Sequence, residues 1–491
     1  MRSTSSSISH PRSRHLASSI AAWFAISSPV AVALPTTWTV NSCSEASSGS
    51  GTTGTLRYAV QHAASGDVVD MTHLTCGTIS LHTGAIHVPQ ANLTLEGPGK
   101  NKLNITGKYN GVVEHDRIID HTGTGGTLYV DDLTLSFGYL KPASGVGADG
   151  GCIYSASNVR LFGVDAYYCK AAAAGGARAY GGAVFTRGGL SIDYTTMSGN
   201  IAYGGTNGLS FGGAVVTDKA FYSYYSTISG NSARGTGTNA PGSDGGVLAQ
   251  GNLVLRGSTI SGNYANGAVG GIAAFSSHNT GVVTEIINST ISGNSAAQYT
   301  GGLWTNSSKV NLYNSTIAFN TAVTGGSGSN PYNYAAAGVA ISDIAGSVSV
   351  TMDSTLVADN QFGNPLYFDS DLSIPTLASN VAFTGAGNLV TTRFPNSKDF
   401  LPAGTIEYAC VLIGPLRDNG GLTRTHALLS HSPGIGVGNN MLFLSEDQRG
   451  RPLDLAPYAY ARESPSGYPD IGAYEIQQDD IIFDAGFDGC P

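Results

Sequence analysis

Charge is scarce in this chain. Of its 491 residues only 12% are Asp, Glu, Lys or Arg, while 67 are Gly. Solubility must therefore rest on neutral polar groups, as in extracellular β-rich chains. The 33 acidic residues outnumber 24 basic ones, for a formal net charge of -9, and no Lys/Arg run of note follows residue 14. That balance argues against nucleic acid and anionic membrane surfaces as general partners. No segment after residue 34 is apolar enough to span a bilayer. The six cysteines show no C-x-x-C spacing of the kind that holds zinc. No cofactor or metal is expected.

What the chain has instead is a repeated phrase. Between residues 150 and 360 a Gly-Gly pair is followed at near-constant distance by Ser-Thr-Ile-Ser-Gly-Asn or a close variant. Gly182 to Asn200, Gly213 to Asn231 and Gly302 to Asn320 are each 18 apart, and Gly246 to Asn263 is 17. Gly271 to Asn294 and Gly338 to Asn360 stretch to 23 and 22, while Cys169 stands 18 residues after Gly151, where an Asn would be. A period of this size marks a stacked solenoid. Between each pair and its Asn the apolar residues alternate, as in Leu190-Ser191-Ile192-Asp193-Tyr194, which is strand periodicity. Each stretch is too short to hide its apolar face alone, so neighbouring coils must pool their inward residues. Gly suits a corner that needs positive φ or close backbone approach. Asn200, Asn231, Asn263, Asn294, Asn320 and Asn360 then fall above one another at another corner, where amides can hydrogen-bond along the stack at about 4.8 Å per rung. They are expected to be a structural ladder, and sequons such as Asn288-Ser-Thr and Asn314-Ser-Thr fall out of the same phrase. Loops between the coils carry Tyr203, Tyr264 and Tyr299, which either form a row of rings for sugars or pack down on the coil edge.

Residues 1–33 read as a secretory signal: Arg2, Arg12 and Arg14, then the apolar stretch from Leu16 to Leu34, with Ala31-Val32-Ala33 as the cleavage site. Export makes disulfides expected. Cys43 and Cys76 flank the N-terminal cap and form the first pair. Cys152 and Cys169, at the two ends of one coil, either bridge it or stay as two buried thiols, and Cys410 and Cys490 remain by elimination. An open stack needs a cap. Leu56, Ala59, Val60 and Ala63 share a helical face that supplies one, ended by Gly66.

Thr39-Val40-Asn41-Ser42-Cys43, Gly54-Thr55-Leu56-Arg57-Tyr58-Ala59-Val60 and Ala64-Ser65-Gly66-Asp67-Val68-Val69 resemble the opening of bacterial secreted right-handed β-helix proteins, with Thr-Leu-Arg-Tyr-Ala where those read Cys-Ser-Leu-Arg-Glu-Ala. Ile413-Gly414-Pro415-Leu416-Arg417-Asp418-Asn419-Gly420-Gly421, Thr425-His426-Ala427-Leu428-Leu429, Ser432-Pro433, Asp447-Gln448-Arg449-Gly450 and Asp470-Ile471-Gly472-Ala473-Tyr474-Glu475 resemble the choice-of-anchor Q domain. That domain usually reads Ala-Ile-Asp-Ala-Gly where this chain has Gly434-Ile435-Gly436-Val437-Gly438. The repeats are similar to those of polymorphic outer-membrane proteins, as at Gly212-Gly213-Ala214 and Phe319-Asn320. Residues after 400 are too few for the membrane barrel that ends those proteins. The ending Ile482 to Asp488 resembles a short tail of exported gammaproteobacterial proteins. These resemblances imply an all-β, right-handed parallel β-helix with a short N-terminal capping helix. The parts are a signal peptide (1–33), a cap (34–76), the β-helix (77–400), a choice-of-anchor Q-like region (401–476) and a tail (477–491).

Many enzymes on this fold cleave acidic polysaccharides, but fold alone does not assign activity. Hydrolysis needs clustered acids on adjacent coils, and neither these nor the phrases Gly-His-Gly and Arg-Ile-Lys are evident. Asp131-Asp132 reads as a turn between strands. Asp193, Asp218 and Asp244 stand at different offsets from their Gly-Gly pairs and are not expected to converge as calcium ligands. Gly325-Gly326-Ser327-Gly328 lacks the calcium-binding continuation. His62, His73, His82, His87, His115 and His121 are irregularly spaced and expected at the surface. The expected molecule is a secreted or surface-associated monomer with a structural or binding role, glycan-binding or adhesive, and an extracellular polysaccharide or cell-surface partner. The alternative is a polysaccharide lyase or glycoside hydrolase.

Overall fold

The Thr-Ile-Ser steps of the repeat form short strands whose middle residue points inward. Thr196–Ser198, Thr227–Ser229, Thr259–Ser261 and Thr290–Ser292 pair parallel and in register, so Met197, Ile228, Ile260 and Ile291 make one fully buried column. The computed structural model describes residues 34–113, 116–236, 242–275, 281–323, 336–342, 348–362, 371–373, 381–391, 401–407, 410–453, 468–477 and 480. The signal segment, the 482–488 ending, the 325–328 glycines, His115 and Cys490 lie outside them.

One coil shows the path. Val184–Thr186 lies on a ten-stranded first face, Leu190–Asp193 on a fourteen-stranded second face, Thr196–Ser198 on a twelve-stranded third face and Ile201–Thr206 on an eight-stranded fourth face. Ser210–Phe211 adds a four-stranded strip before the next coil begins at Val215. The result is a parallel β-solenoid. Its interior is a run of aliphatic stacks, among them Leu95, Val130, Leu161, Ile192, Leu255, Ile286 and Leu312, all essentially without exposed surface. Parallel strands buried in this way can stack only because each coil offers apolar residues at the same register positions.

The Gly-Gly pair does two jobs. Gly181 has φ +61, in the left-handed region, and a Cβ on Gly182 would strike the Gly213 carbonyl of the next coil and the Ile201 backbone across its own. The pair therefore sits against the far corner of its coil, where the Asn lies. In the later coils the pair slides by one: Val215 pairs with Val247, so Gly213 lies beside Gly245 rather than Gly246.

Pairing on the second face begins inside the cap, at Thr37–Ser42 and Val68–Asp70. The only helix among the described residues, Leu56–His62, is N-capped by the Thr55 side chain and buries Leu56, Ala59 and Val60 over the first coils. No helix among the described residues is long and apolar enough to cross a membrane. Cys43 is bonded to Cys76 and Cys152 to Cys169. The second pair is geometrically easy because the Gly-Gly edge and the Asn corner meet, leaving its Cα atoms 5.4 Å apart. Cys410 is also disulfide-bonded.

Among the described residues no strand joins the stack after Ile406–Glu407. Residues 411–453 and 468–476 lie along the outside of the third face. Gln448 donates to the Thr259 hydroxyl at 2.9 Å and accepts from the Thr290 hydroxyl at 2.6 Å. His426 meets Ser292 at 2.7 Å, and the Ala473 N–H donates to the Thr316 hydroxyl at 3.0 Å. The outward hydroxyls of the repeat are thus buried at Thr259, Thr290 and Thr316 but only half-buried at Thr196 and Thr227, which no described residue of this segment covers. The phrases quoted above from residues 413–475 supply this docking network. Arg449, its side chain fully buried, binds Asp447 and the Asn419 carbonyl and lies 3.8 Å from the Tyr474 ring centroid. Gly436 has φ +61 and donates its N–H to Asp470.

Candidate functional site on the second face

From Asp131 to Arg256 each second-face strand ends in an outward side chain immediately before a left-handed corner, and parallel register stacks these ends into a column that Glu96 begins. Glu96 lies beside Asp131, Asp131 beside Phe162, Phe162 beside Asp193, Asp193 beside Tyr224 and Tyr224 beside Arg256. In the neighbouring outward column Arg160 stands between Tyr129 and Ser191. Its guanidinium reaches both acids, with Nη1 3.9 Å from Asp131 Oδ1 and Nε 3.6 Å from Asp193 Oδ2, and lies 5.3 Å from the Phe162 ring centroid. Those separations are ionic rather than hydrogen-bonded, and Asp131 Oδ1 is buried without a hydrogen-bond partner. Burial pushes the Asp131 carboxyl up to about 6; Arg160 opposes the rise, and Asp132, Glu96 and Asp193 add to it. Asp193 is also raised by burial, against Arg160 and a hydrogen bond from Ser191.

The corner beside this column carries rings. Tyr194 and Tyr225 occupy left-handed positions, φ +51 and +49, and stack at 5.5 Å between centroids with 12° between planes. Tyr225 lies flat on Gly257 of the next coil, where any side chain would collide with the ring. Acids, an arginine and aromatic rings thus share one open stripe from Glu96 to Arg256. The sequence reading saw no clustered acids on adjacent coils. Asp132 is indeed the turn, with φ +54, but Asp131 faces outward into the cluster. The Gly-Gly offset hides this, because register puts Thr83-Gly84 and Asp116-Arg117 where later coils carry the pair, so the coils of Glu96 and Asp131 have none to count from. Aligning coils on the residue before each corner brings Glu96, Asp131 and Asp193 into one column.

The asparagines lie inside the stack. Asn200, Asn231, Asn263, Asn294 and Asn320 each donate both the backbone N–H and Nδ2 to Oδ1 of the next, at 2.8–3.0 Å, and Asn360 does the same to Asp371. Each Nδ2 also donates back to a third-face carbonyl of the preceding coil, such as Ala166 for Asn200. None has surface for a ligand. Cys169 heads the ladder, its N–H bound to Asn200 Oδ1.

Other candidates separate. Asp193, Asp218 and Asp244 lie at the second face, after the first-face strand Val215–Thr217 and before Gly245 respectively, and do not converge. Tyr203, Tyr264 and Tyr299 form no row. Tyr203 lies beside Ala172 and Arg234, Tyr264 lies beside Ser232 and Ser295, and Tyr299 packs against the apolar cluster around Trp304. His121 corrects the surface expectation: it has no exposed surface, its ring nitrogens meet the Ser155 hydroxyl at 2.7 Å and the Gln90 carbonyl at 2.9 Å, and burial lowers its pKa. Its position inside a three-residue strand explains this, since alternation turns it inward. Asn288 and Asn314 are buried in left-handed corners, so their sequons are closed in the folded chain. Among the described residues no group of three or more His, Cys, Asp or Glu is arranged to hold a metal ion. Comparison with known protein families, with curated proteins and with solved structures finds no match.

Proposed function

We propose that this protein is an exported rod that binds an extended glycan along its second face. Residues 1–33 would serve as the signal, and 401–476 as a choice-of-anchor Q-like region. The observation that carries the reading is the uncovered stripe in which Phe162, Tyr194, Tyr224 and Tyr225 interleave with Glu96, Asp131, Asp193, Arg160 and Arg256. Rings supply apolar faces for sugars, and charged side chains hydrogen-bond their hydroxyls. Repeating at about 4.8 Å per rung, the stripe suits a linear polymer better than a compact ligand. Disulfides and the absence of a membrane-crossing helix among the described residues are compatible with an extracellular setting. The test is affinity pull-down and calorimetry of the purified chain against acidic and neutral polysaccharides. Tyr194→Ala, Tyr225→Ala and Arg160→Gln should each weaken binding; binding that ignores all three, or none at all, rejects the reading.

Asp131 favours a second reading, a glycoside hydrolase. A carboxyl with a pKa of about 6 is suited to proton transfer. One rung, about 4.8 Å of backbone, separates it from Glu96 and two rungs, about 9.6 Å, from Asp193, at the edges of the separations that paired carboxyls use. Release of reducing ends by the native chain and its loss in Asp131→Asn would establish this reading; polymer bound but uncut excludes it.

A further inference from the structure

The fourth face carries charge of one sign. Its first strands, Tyr139–Leu140, Lys170–Ala172, Ile201–Thr206 and Ser232–Thr236, pair parallel in that order. Register puts Lys170 between Tyr139 and Ile201 in one outward column, and Arg234 beyond Ala172 and Tyr203 in the next. Lys141 follows Leu140 directly and is exposed, as Arg234 is. Over 139–148, 170–180, 201–211 and 232–236 the sequence has the cations Lys141, Lys170, Arg178 and Arg234 and no acid. In a chain whose 33 acids outnumber 24 bases, that is a local reversal of charge.

Among the described residues Lys141, Lys170 and Arg234 have no acidic partner, whereas Lys100, Arg117 and Arg160 on other parts of the solenoid each meet one. They lie against rings instead. Lys170 Nζ is 5.1 Å from the Tyr139 ring centroid and 5.4 Å from that of Tyr203, and the Arg234 guanidinium is 5.6 Å from that of Tyr264. Rings hold a cation in place without neutralising it. Lys170 is half-buried, and burial, then Lys141 and Arg234, lower its ammonium from the ordinary value. Like charges are thus gathered where an anion would relieve their repulsion. The acids nearest in the fold are turned elsewhere. Asp116, whose carbonyl accepts from the Tyr139 N–H, spends its carboxylate on the N–H groups of Ala85 and Arg117, and Asp149 is set among Arg117, Arg187 and Asp218.

We propose that the fourth face over these coils docks an acidic polysaccharide, a polymer bearing carboxylate or sulfate groups, that runs along the solenoid axis across Lys141, Lys170 and Arg234. The three cations lie on the first, second and fourth of four successive coils, a span of about 14 Å at about 4.8 Å per rung. One polymer chain parallel to the axis meets all three, and a single small anion does not. Nucleic acid fits less well, because Lys170 already occupies the Tyr139 and Tyr203 rings on which bases would stack. The surface shares no residue with the second-face stripe, so the inference goes beyond the glycan reading above and does not depend on it.

The experiment is calorimetric titration of the purified chain with polygalacturonate and with dextran sulfate, against neutral dextran and single-stranded DNA, at low and high salt. At least one acidic polysaccharide should bind, more weakly as salt rises, and the double variant Lys170→Gln/Arg234→Gln should bind it roughly tenfold less tightly. Lys141→Gln, at an exposed position that leaves the packing alone, should weaken binding in the same direction, while Tyr194→Ala on the second face should leave it unchanged. Binding of polygalacturonate alone would identify carboxylate as the charge recognised, and of dextran sulfate alone, sulfate. Native affinity in both fourth-face variants, dextran bound as tightly as dextran sulfate, or no acidic polysaccharide bound overturns the proposal. DNA bound more tightly than either polysaccharide overturns it too, in favour of a nucleic-acid surface. If Tyr194→Ala weakens binding and the fourth-face variants do not, this inference falls while the second-face reading stands.

Discussion

Asn360 directs its backbone N–H and its Nδ2 at a single oxygen of Asp371, at 3.0 and 2.7 Å. Every asparagine before it points its donors the same way, so the ladder is polar along the axis and its last donors end on a carboxylate. The other Asp371 oxygen accepts from the Thr391 hydroxyl. A buried carboxylate is tolerated here because aligned donors converge on it, much as anions are tolerated at helix N-termini.

Asp371→Ala should therefore cost about 2–4 kcal/mol, since it strands the Asn360 N–H and the Thr391 hydroxyl while Asn360 Nδ2 keeps the Ile317 and Ala358 carbonyls, whereas Asp371→Asn keeps an acceptor and should cost much less. Asn263→Ala, mid-ladder, should cost at least as much as Asp371→Ala. Urea unfolding of the three variants would check the order, and equal losses for Asp371→Ala and Asp371→Asn would refute the capping role.

Asp244 stands where the equivalent coils have Gly150, Gly181 and Gly212, and it shares their left-handed backbone with φ +63. Burial pushes its carboxyl from 3.8 up to about 8. A raised pKa means folding favours the neutral acid. The associated stability is complete below pH 3.8 and is lost as pH climbs through about 8. Asp244→Gly should accordingly raise the melting temperature at pH 8, with the gain shrinking toward pH 4. A gain independent of pH would point to backbone strain alone.

Much of the fold was legible because the repeated phrase encodes one coil corner by corner. In Ser-Thr-Ile-Ser-Gly-Asn the first Ser belongs to a buried hydroxyl ladder, in which the Ser226 N–H donates to the Ser258 hydroxyl and the Ser258 N–H to that of Ser289. The Ile fills the core, and the Asn makes the amide ladder. The second-face stripe was not legible by that route. Its residues differ from coil to coil, Glu96, Asp131, Phe162, Asp193 and Tyr224 in turn, and the coils of Glu96 and Asp131 lack the Gly-Gly pair, so only three-dimensional register brings those two acids into line. His121 was missed because a lone histidine carries no pattern, and the return of residues 411–453 and 468–476 because docking onto a finished coil leaves no periodicity.

Gln448 is the rivet of that return. Its Nε2 reaches Thr259, Thr423 and the Ser258 and Arg424 carbonyls, and its Oε1 accepts from Thr290. Gln448→Leu leaves the Thr290 hydroxyl without its acceptor, while the Thr259 and Thr423 hydroxyls still donate to the Arg424 and Gly257 carbonyls, and should cost about 1–3 kcal/mol, spent locally. Limited proteolysis and hydrogen exchange should show residues 411–476 opening while the coils before Gly257 stay protected. Uniform loss of protection would mean that the segment and the solenoid unfold as one unit.

Arg160 and Asp131 give the sharpest test of the second face. Arg160 is the nearest cation to Asp131 and the one influence named that holds its carboxyl down against burial and against Asp132, Glu96 and Asp193. Arg160→Gln should therefore move the Asp131 titration above about 6, and that of Asp193 upward with it. Folding favours the protonated Asp131, so its contribution is lost as pH rises from 3.8 through about 6. Asp131→Asn should then stabilise the chain at pH 8 and leave it nearly unchanged at pH 3.5. Carbon-detected NMR titration of the carboxyls reads the first effect and thermal melts across pH the second. An Asp131 that titrates in the ordinary range in both the native chain and Arg160→Gln would show that the cluster is solvated, and would remove the hydrolase reading while leaving the aromatic stripe as the remaining basis for glycan binding.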